Sequence, residues 1–144
     1  MSDLNDQRVI AHLLRDVEVW AVVGLSNNQA RDAYRIAKLL QQKGKRIIPV
    51  HPSAETVHGE QGYASLTLAR EAVGPIGVVD VFVNSALAGK VADEAIASGA
   101  DAVWFQFGVV DPAAADRVIA AGLDMVMDRC PAVEWPRMES TTTS

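Results

Sequence analysis

Short, largely apolar runs, separated by stretches of helical periodicity, limit the folds open to this chain. Val17 to Val23, Arg46 to Val50, Val78 to Val83, Ala102 to Phe105 and Asp124 to Met127 each read as a strand. Strands without polar alternation are buried on both faces. In a chain that alternates strand and helix, that implies parallel strands with helices on either side. The expected fold is α/β, a doubly wound parallel sheet of about five strands flanked by helices.

The connecting segments carry their own signals. Before the first strand, Val9, Ile10, Leu13 and Leu14 share one face of a short helix. Gly24 to Arg31 is polar and turn-rich, after which Ala33, Ile36, Ala37 and Leu40 recur at helical spacing until Gly44 stops the helix. Pro49 lies near the end of the second strand, and Pro52 terminates it. Ser85 is expected to cap a helix over Ala86 to Ser98, with Gly99 as its stop. Asp111 followed by Pro112 reads as an N-cap with proline at the first helical position, Val118 and Ile119 face inward, and Gly122 ends that helix. The stretch Ser53 to Gly77 is irregular, with a loop, a short segment around Tyr63 to Leu66 and a weak helix near Leu68 to Val73. No linker interrupts the chain, so one domain is expected over residues 1–138, with Glu139 to Ser144 a frayed, Thr-rich tail.

Composition agrees with one soluble domain: 144 residues, 49% hydrophobic and 22% charged. A fold of this length hides roughly two-thirds of its unfolded surface, so its core needs no disulfide or metal. Cys130 is the only cysteine, which excludes an internal disulfide framework and a Cys-rich zinc site and fits a reducing, cytoplasmic setting. A net charge of -5 argues against a general nucleic-acid surface. Asp3, Asp6 and Arg8 do not make a secretory signal, and apolar stretches such as Val19 to Leu25 fall far short of the roughly 20 residues of a membrane span. Self-association as a homo-oligomer stays open, because no interface residue can be named.

In a doubly wound sheet, ligands sit beyond the carboxyl ends of the strands where the strand order reverses. After the first strand, Gly24 allows close backbone approach, Ser26 and Asn27 offer hydrogen bonds, and the following helix N-terminus suits a phosphate. The plainer alternative is that Gly24 only makes the turn and Asn28 or Asp32 caps the helix. The dinucleotide fingerprint G-x-G-x-x-G is not met, since Ser26 and Gln29 occupy its second and third glycine positions. At the end of the second strand, an NAD site usually places an acidic residue, whereas this chain has Val50-His51-Pro52. His51 is either a ribose or phosphate contact or a solvated turn residue.

Arg31, Arg35, Lys38, Lys45 and Arg46 cluster around the first long helix and second strand, as a polyphosphate would want; Arg31 is the best placed, whereas Arg35 and Lys38 are open to a solvated helix face, the reading that suits Lys38 better. The third strand ends Phe82-Val83-Asn84 and the fourth Phe105-Gln106-Phe107-Gly108, each delivering an apolar surface beside one amide. Phe107 and Trp104 are equally open to a core role, and Trp104 reads as core. Asp128-Arg129-Cys130-Pro131 brings the one thiol to the same rim, as reactive group or as packing. No acid, base and nucleophile set and no metal spacing is present in the sequence pattern, with His12 and His58 lacking a partner at interpretable spacing.

Taken together, Ala21-Val22-Val23-Gly24-Leu25-Ser26, Arg31 with Tyr34-Arg35-Ile36-Ala37, Ile47 to Pro52, Val79-Asp80-Val81-Phe82, Val103 to Val109 and Met127 to Pro131 resemble the family of small stand-alone CoA-binding proteins. That family is similar to the CoA-binding domain of the succinyl-CoA synthetase alpha subunit. The resemblance implies a Rossmann-like domain that binds coenzyme A or an acyl-CoA. Gly24, Ser26, Asn27, Arg31 and Arg35 would serve the pyrophosphate. Pro49, Val50, His51 and Pro52 would lie near adenosine, and Phe82, Val83, Asn84, Gln106, Gly108 and Cys130 along the pantetheine arm. The chain departs from the family pattern in having Val83-Asn84 where an Arg often follows the strand-three Phe, and Asp32-Ala33 where Pro-Ser often follows the loop Arg. The expected role is a binding or regulatory module without its own catalysis. The alternatives are an acyl-CoA enzyme or ligase-associated subunit using Cys130, and an NAD(P)-binding regulator.

Overall fold

In the computed structural model, which describes residues 3–142, five strands and six helices alternate. The strands are β1 (Val19–Val23), β2 (Arg46–Val50), β3 (Val78–Val81), β4 (Ala102–Gln106) and β5 (Asp124–Arg129). The helices are α1 (Gln7–Asp16), α2 (Asp32–Gln42), α3 (Leu66–Val73), α4 (Ser85–Ala97), α5 (Pro112–Ala120) and α6 (Pro131–Thr142). All pairings are parallel, and the sheet order is β2-β1-β3-β4-β5. This is the doubly wound, Rossmann-like α/β architecture that the apolar runs imply.

Alternate residues of each strand feed two cores. Ala21, Val23, Val79, Val81, Val103 and Phe105 pack under α3, α4 and α5, whose inner faces are largely alanine in α4 and α5. Trp20, Val22, Val78, Ala102 and Trp104 pack under α1, α2 and α6. The small Val78 and Asp80 of β3 lie between the two tryptophans, whose rings meet with centroids 5.6 Å apart. Both indoles are buried, and both N–H groups are satisfied, Trp20 donating to the Val17 carbonyl and Trp104 to that of Arg129, each at 2.9 Å.

Several boundaries differ from the sequence reading for visible reasons. β1 starts at Val19 because the Val17 carbonyl is taken by the Trp20 indole and by Lys45 Nζ at 2.6 Å. The cap of α4 is Asn84, whose Oδ1 accepts from Leu87 N at 3.2 Å, and Ser85 is its first residue. Ser85 Oγ instead accepts from Val110 N at 2.9 Å and donates to the Gly108 carbonyl. Asp111 does cap α5, accepting from Ala114 N at 3.1 Å. In the irregular stretch, Ser65 caps α3, and Tyr63 extends the sheet edge, its N–H donating to Pro49 O and its carbonyl accepting from His51 N, both at 3.0 Å. The stretch expected to fray from Glu139 is helical as far as Thr142, since Ala132, Trp135 and Met138 repeat every third residue against the second core; Thr143 and Ser144 lie outside the described residues.

One core residue defies hydrophobic patterning. Asp80 is fully buried in β3, neither carboxyl oxygen has a partner, and burial pushes its carboxyl well above the usual range. Its proton is therefore bound more tightly in the folded state than in the unfolded chain, whose carboxyl titrates near about pH 3.9. The cost of Asp80 is absent below that pH and grows as the pH rises toward the folded-state value. Asp80→Asn should be more stable than the parent at pH 7 by more than about 1 kcal/mol. The difference should vanish on approaching about pH 3.9, and urea unfolding across that range measures it.

A second prediction concerns the turn after β1. Gly24 holds φ at 100°, and a Cβ there would stand 3.3 Å from Phe82 Cβ. Gly24→Ala should lower unfolding free energy by roughly 1–3 kcal/mol in the same assay.

Candidate functional site

The chain leaves β1 toward β2 on one side and reaches β3 on the other, so the loops beyond these strands diverge. Between them lies a cleft of about 640 Å³, within the range of small-molecule sites. Gly24, Ser26, Arg31, His51, Pro52, Phe82, Val83, Asn84 and Gln106, all expected from the sequence, line it. So do Asn28, Ala30, Asp32, Ala33, Leu87, Phe107 and Val109.

Its first half is polar. Gly24 N–H donates to Val50 O at 2.7 Å, which ties the turn to the end of β2. Ser26 Oγ accepts from Asn28 N, and Asn28 Oδ1 from Ala30 N at 3.0 Å, so Asn28 shapes the loop and does not cap α2. Asp32 does not cap it either: the N-cap is Arg31, whose side chain makes no cap bond, and Asp32 pairs instead with Arg35 at 3.2 Å. The first turn of α2, with Asp32 and Ala33 on the cleft wall, thus keeps N–H groups without a side-chain acceptor.

His51 is fixed by its neighbours. Its Nδ1 lies 2.8 Å from Ser53 Oγ, which donates to Glu55 Oε2 at 2.7 Å, while Glu55 Oε1 accepts from Asn27 Nδ2 at 3.0 Å. The Ser53 hydroxyl and then the Asn27 amide lower the Glu55 carboxyl below its ordinary range. Asn27 also donates to Thr56 O at 2.9 Å. It therefore straps the loop after β2 to the loop after β1 and does not line the cleft.

The second half is apolar. Phe82, Val83, Leu87, Phe107 and Val109 form its wall, with Phe107 74% and Leu87 54% exposed. Phe107 is held out by its backbone: Gly108, at φ 86°, donates to Asp128 Oδ1 at 2.7 Å, Val109 to Gln106 O at 2.8 Å and Val110 to Ser85 Oγ. Trp104, one turn of the pleat below, is core, as its sequence setting implied. Asn84 and Gln106 bring one carboxamide each to this half.

The remaining expected residues lie off the wall. Arg35 is exposed on α2; Pro49 and Val50 support the floor, their carbonyls accepting from Tyr63 and Gly24; Gly108 shapes the loop beneath Phe107. Cys130 heads α6, half-buried against the second core, its carbonyl accepting from Val133 and Glu134 N–H groups at 2.9 Å. The expected cation cluster is divided by the sheet. Lys45 precedes β2 and Arg46 begins it, at the amino edge, where Lys45 is buried and bound to the Val17 carbonyl. Arg31 alone of the five lines the cleft. Leu87 gave no sequence signal, and Val109 none beyond its place in the Val103 to Val109 motif, because an apolar residue at a helix start or after a strand is indistinguishable from core by pattern.

Comparisons with known proteins agree with this fold. Residues 18–136 match the family described as CoA binding domain. The uncharacterized protein YneT of Bacillus subtilis (strain 168) is 34% identical over 121 residues, covering 84% of this chain and 87% of that protein. A hypothetical protein from Pyrococcus horikoshii OT3 superposes with a TM-score of 0.85 at 31% identity, covering 96% of this chain and 97% of that one. A crystal structure of a protein redesigned for binding gives 0.84 at 35%, covering 92% of each chain. With a match of this extent and relatives of similar length, the chain belongs to the CoA-binding domain family.

Proposed function

We propose that the chain binds coenzyme A, free or acylated, in this cleft and acts as a binding or regulatory module. The observation that carries the reading is the division of one cleft into two chemistries. Coenzyme A joins a polyanionic nucleotide to a long uncharged arm. Arg31 and the uncapped N-terminus of α2 suit the phosphates, with His51 and Pro52 beside them for the nucleoside. Phe82, Val83, Leu87 and Phe107 suit the arm. The Arg31 guanidinium supplies charge-assisted hydrogen bonds, and the charge of Asp32 on the cleft wall is partly offset by Arg35 at 3.2 Å. His51-Pro52 at the end of β2 offers no carboxylate to a ribose, which favours coenzyme A over NAD. Cys130 stands off the wall, which favours holding the ligand over thioester chemistry at that thiol. A lone, unpaired thiol also suits a reducing cytoplasm.

Thermal unfolding with CoA, dephospho-CoA and NADH tests the reading. At about 100 times its dissociation constant a ligand adds roughly 2.7 kcal/mol, which raises Tm by on the order of 5 °C for a domain of this size. CoA should give that shift and NADH should not; a shift with NADH alone would overturn the proposal. Arg31→Ala should weaken CoA binding by about tenfold or more. It should leave the ligand-free Tm nearly unchanged, because the side chain caps nothing.

A further inference from the structure

Leu87, Phe107 and Val110 are three of the six large apolar side chains that stand exposed among the described residues, and they gather at one place. The other three, Leu4, Leu68 and Val133, are dispersed over the turn before α1, α3 and α6. Ser85 builds the gathering: its Oγ donates to Gly108 O at 3.4 Å and accepts from Val110 N at 2.9 Å, which ties the first turn of α4 to the loop after β4. Leu87 and Phe107 stand on the cleft wall, and Val110, 43% exposed, lies next to them outside it. The backbone bonds of Gly108, Val109 and Val110 hold this rim in place. A fixed apolar rim facing water is unfavourable and marks a surface that an apolar group covers.

We propose that this rim receives the aliphatic acyl group of an acyl-CoA, so that the chain prefers uncharged acyl groups to free CoA and to carboxylated ones; the inference rests on the CoA reading above. β3 stands between β1 and β4, which puts the rim across the cleft from Arg31. With the phosphates at Arg31 and the nucleoside toward β2, the arm runs toward β4, and whatever its sulfur carries emerges at Phe107 and Val110. Charge there has the wrong sign for an acyl carboxylate. The Asp128 carboxylate accepts from Gly108 N at 2.7 Å, and Asp111 follows Val110 directly. Among the described residues Arg31 is the one lysine or arginine on the cleft wall, and Lys90 lies a turn farther down α4 than Leu87.

Titration calorimetry with CoA, octanoyl-CoA and succinyl-CoA tests the assignment. Full burial of one methylene is worth about fourfold in affinity, so an octanoyl chain that lays two methylenes on the rim should bind about tenfold more tightly than CoA. Succinyl-CoA should bind no more tightly than CoA. Val110→Ser keeps the N–H that Ser85 binds and lies off the cleft wall. It should weaken octanoyl-CoA by about threefold or more and leave CoA within about twofold. Phe107→Ser should bring the ratio of the two affinities to about one. Equal affinity of the parent for octanoyl-CoA and CoA, a preference that survives both substitutions, or a preference for succinyl-CoA overturns the acyl site and leaves the CoA reading standing. A parent that binds none of the three overturns both. Sedimentation velocity covers the other occupant: a ligand-free parent that dimerises with concentration while Val110→Ser does not gives the rim to a second copy of the chain and overturns the acyl assignment.

Discussion

The pairing of β1 on both edges organises the rest of the molecule. Trp20 to Val23 bond to β3 while the same strand bonds to β2 from Val19 to Val23, so β1 is enclosed by backbone on two sides and by helices on the other two. Only apolar side chains suit such a strand. The same pairing sends the two following strands to opposite sides, and the loops above β1 must part. Gly24 stands at that parting, bonded to Val50 at the end of β2 and in close contact with Phe82 beyond β3. A side chain there would close the space that the diverging loops open.

Charge follows from which edge of the sheet a residue reaches. Lys45 precedes a strand and is buried at the amino edge, where Trp20 and Trp135 lie near its ammonium group and the Val17 carbonyl binds it. Burial draws its ammonium below the ordinary lysine range, although Asp16 and Glu18 oppose that change. Arg31 follows a strand and reaches the carboxyl edge with its guanidinium outside the helix cap. A net charge of -5 therefore says little about the cleft, whose one wall-lining arginine and uncapped helix end are local features. The buried polar groups are just as unevenly placed. Gln106 stands at the carboxyl end of β4 on the cleft wall, whereas Asp80 sits deep in β3, where its protonation is a matter of fold stability.

Legibility varied with how local the cause was. The β2 strand matches its expected span because Gly44 and Pro52 bracket it, and the Asp111-Pro112 start of α5 holds because an N-cap is decided within four residues. The α6 helix was missed because Thr-rich residues and Pro136 mask an apolar stripe that has meaning only against a sheet face. Ser85 has the sequence setting of a cap, yet its hydroxyl serves Val110, twenty-five residues away. Asn27 has the look of a ligand contact in the loop after β1, yet its amide is used on Glu55 and Thr56.

The alternation of strand and helix, the parallel sheet and the sheet edge at which the cleft opens were all legible in the linear chain. Period, caps and turn residues act between near neighbours and are written in order along the chain. Part of the cleft wall follows only from the folded chain. Leu87, Phe107 and Val109 join Phe82 and Gln106 through loop clamps formed by Ser85 and Asp128, contacts between residues remote in sequence. The same holds for the separation of Lys45 from Arg31, because a folded sheet puts the start and end of a strand on opposite edges, whereas the linear chain keeps their charges in one cluster.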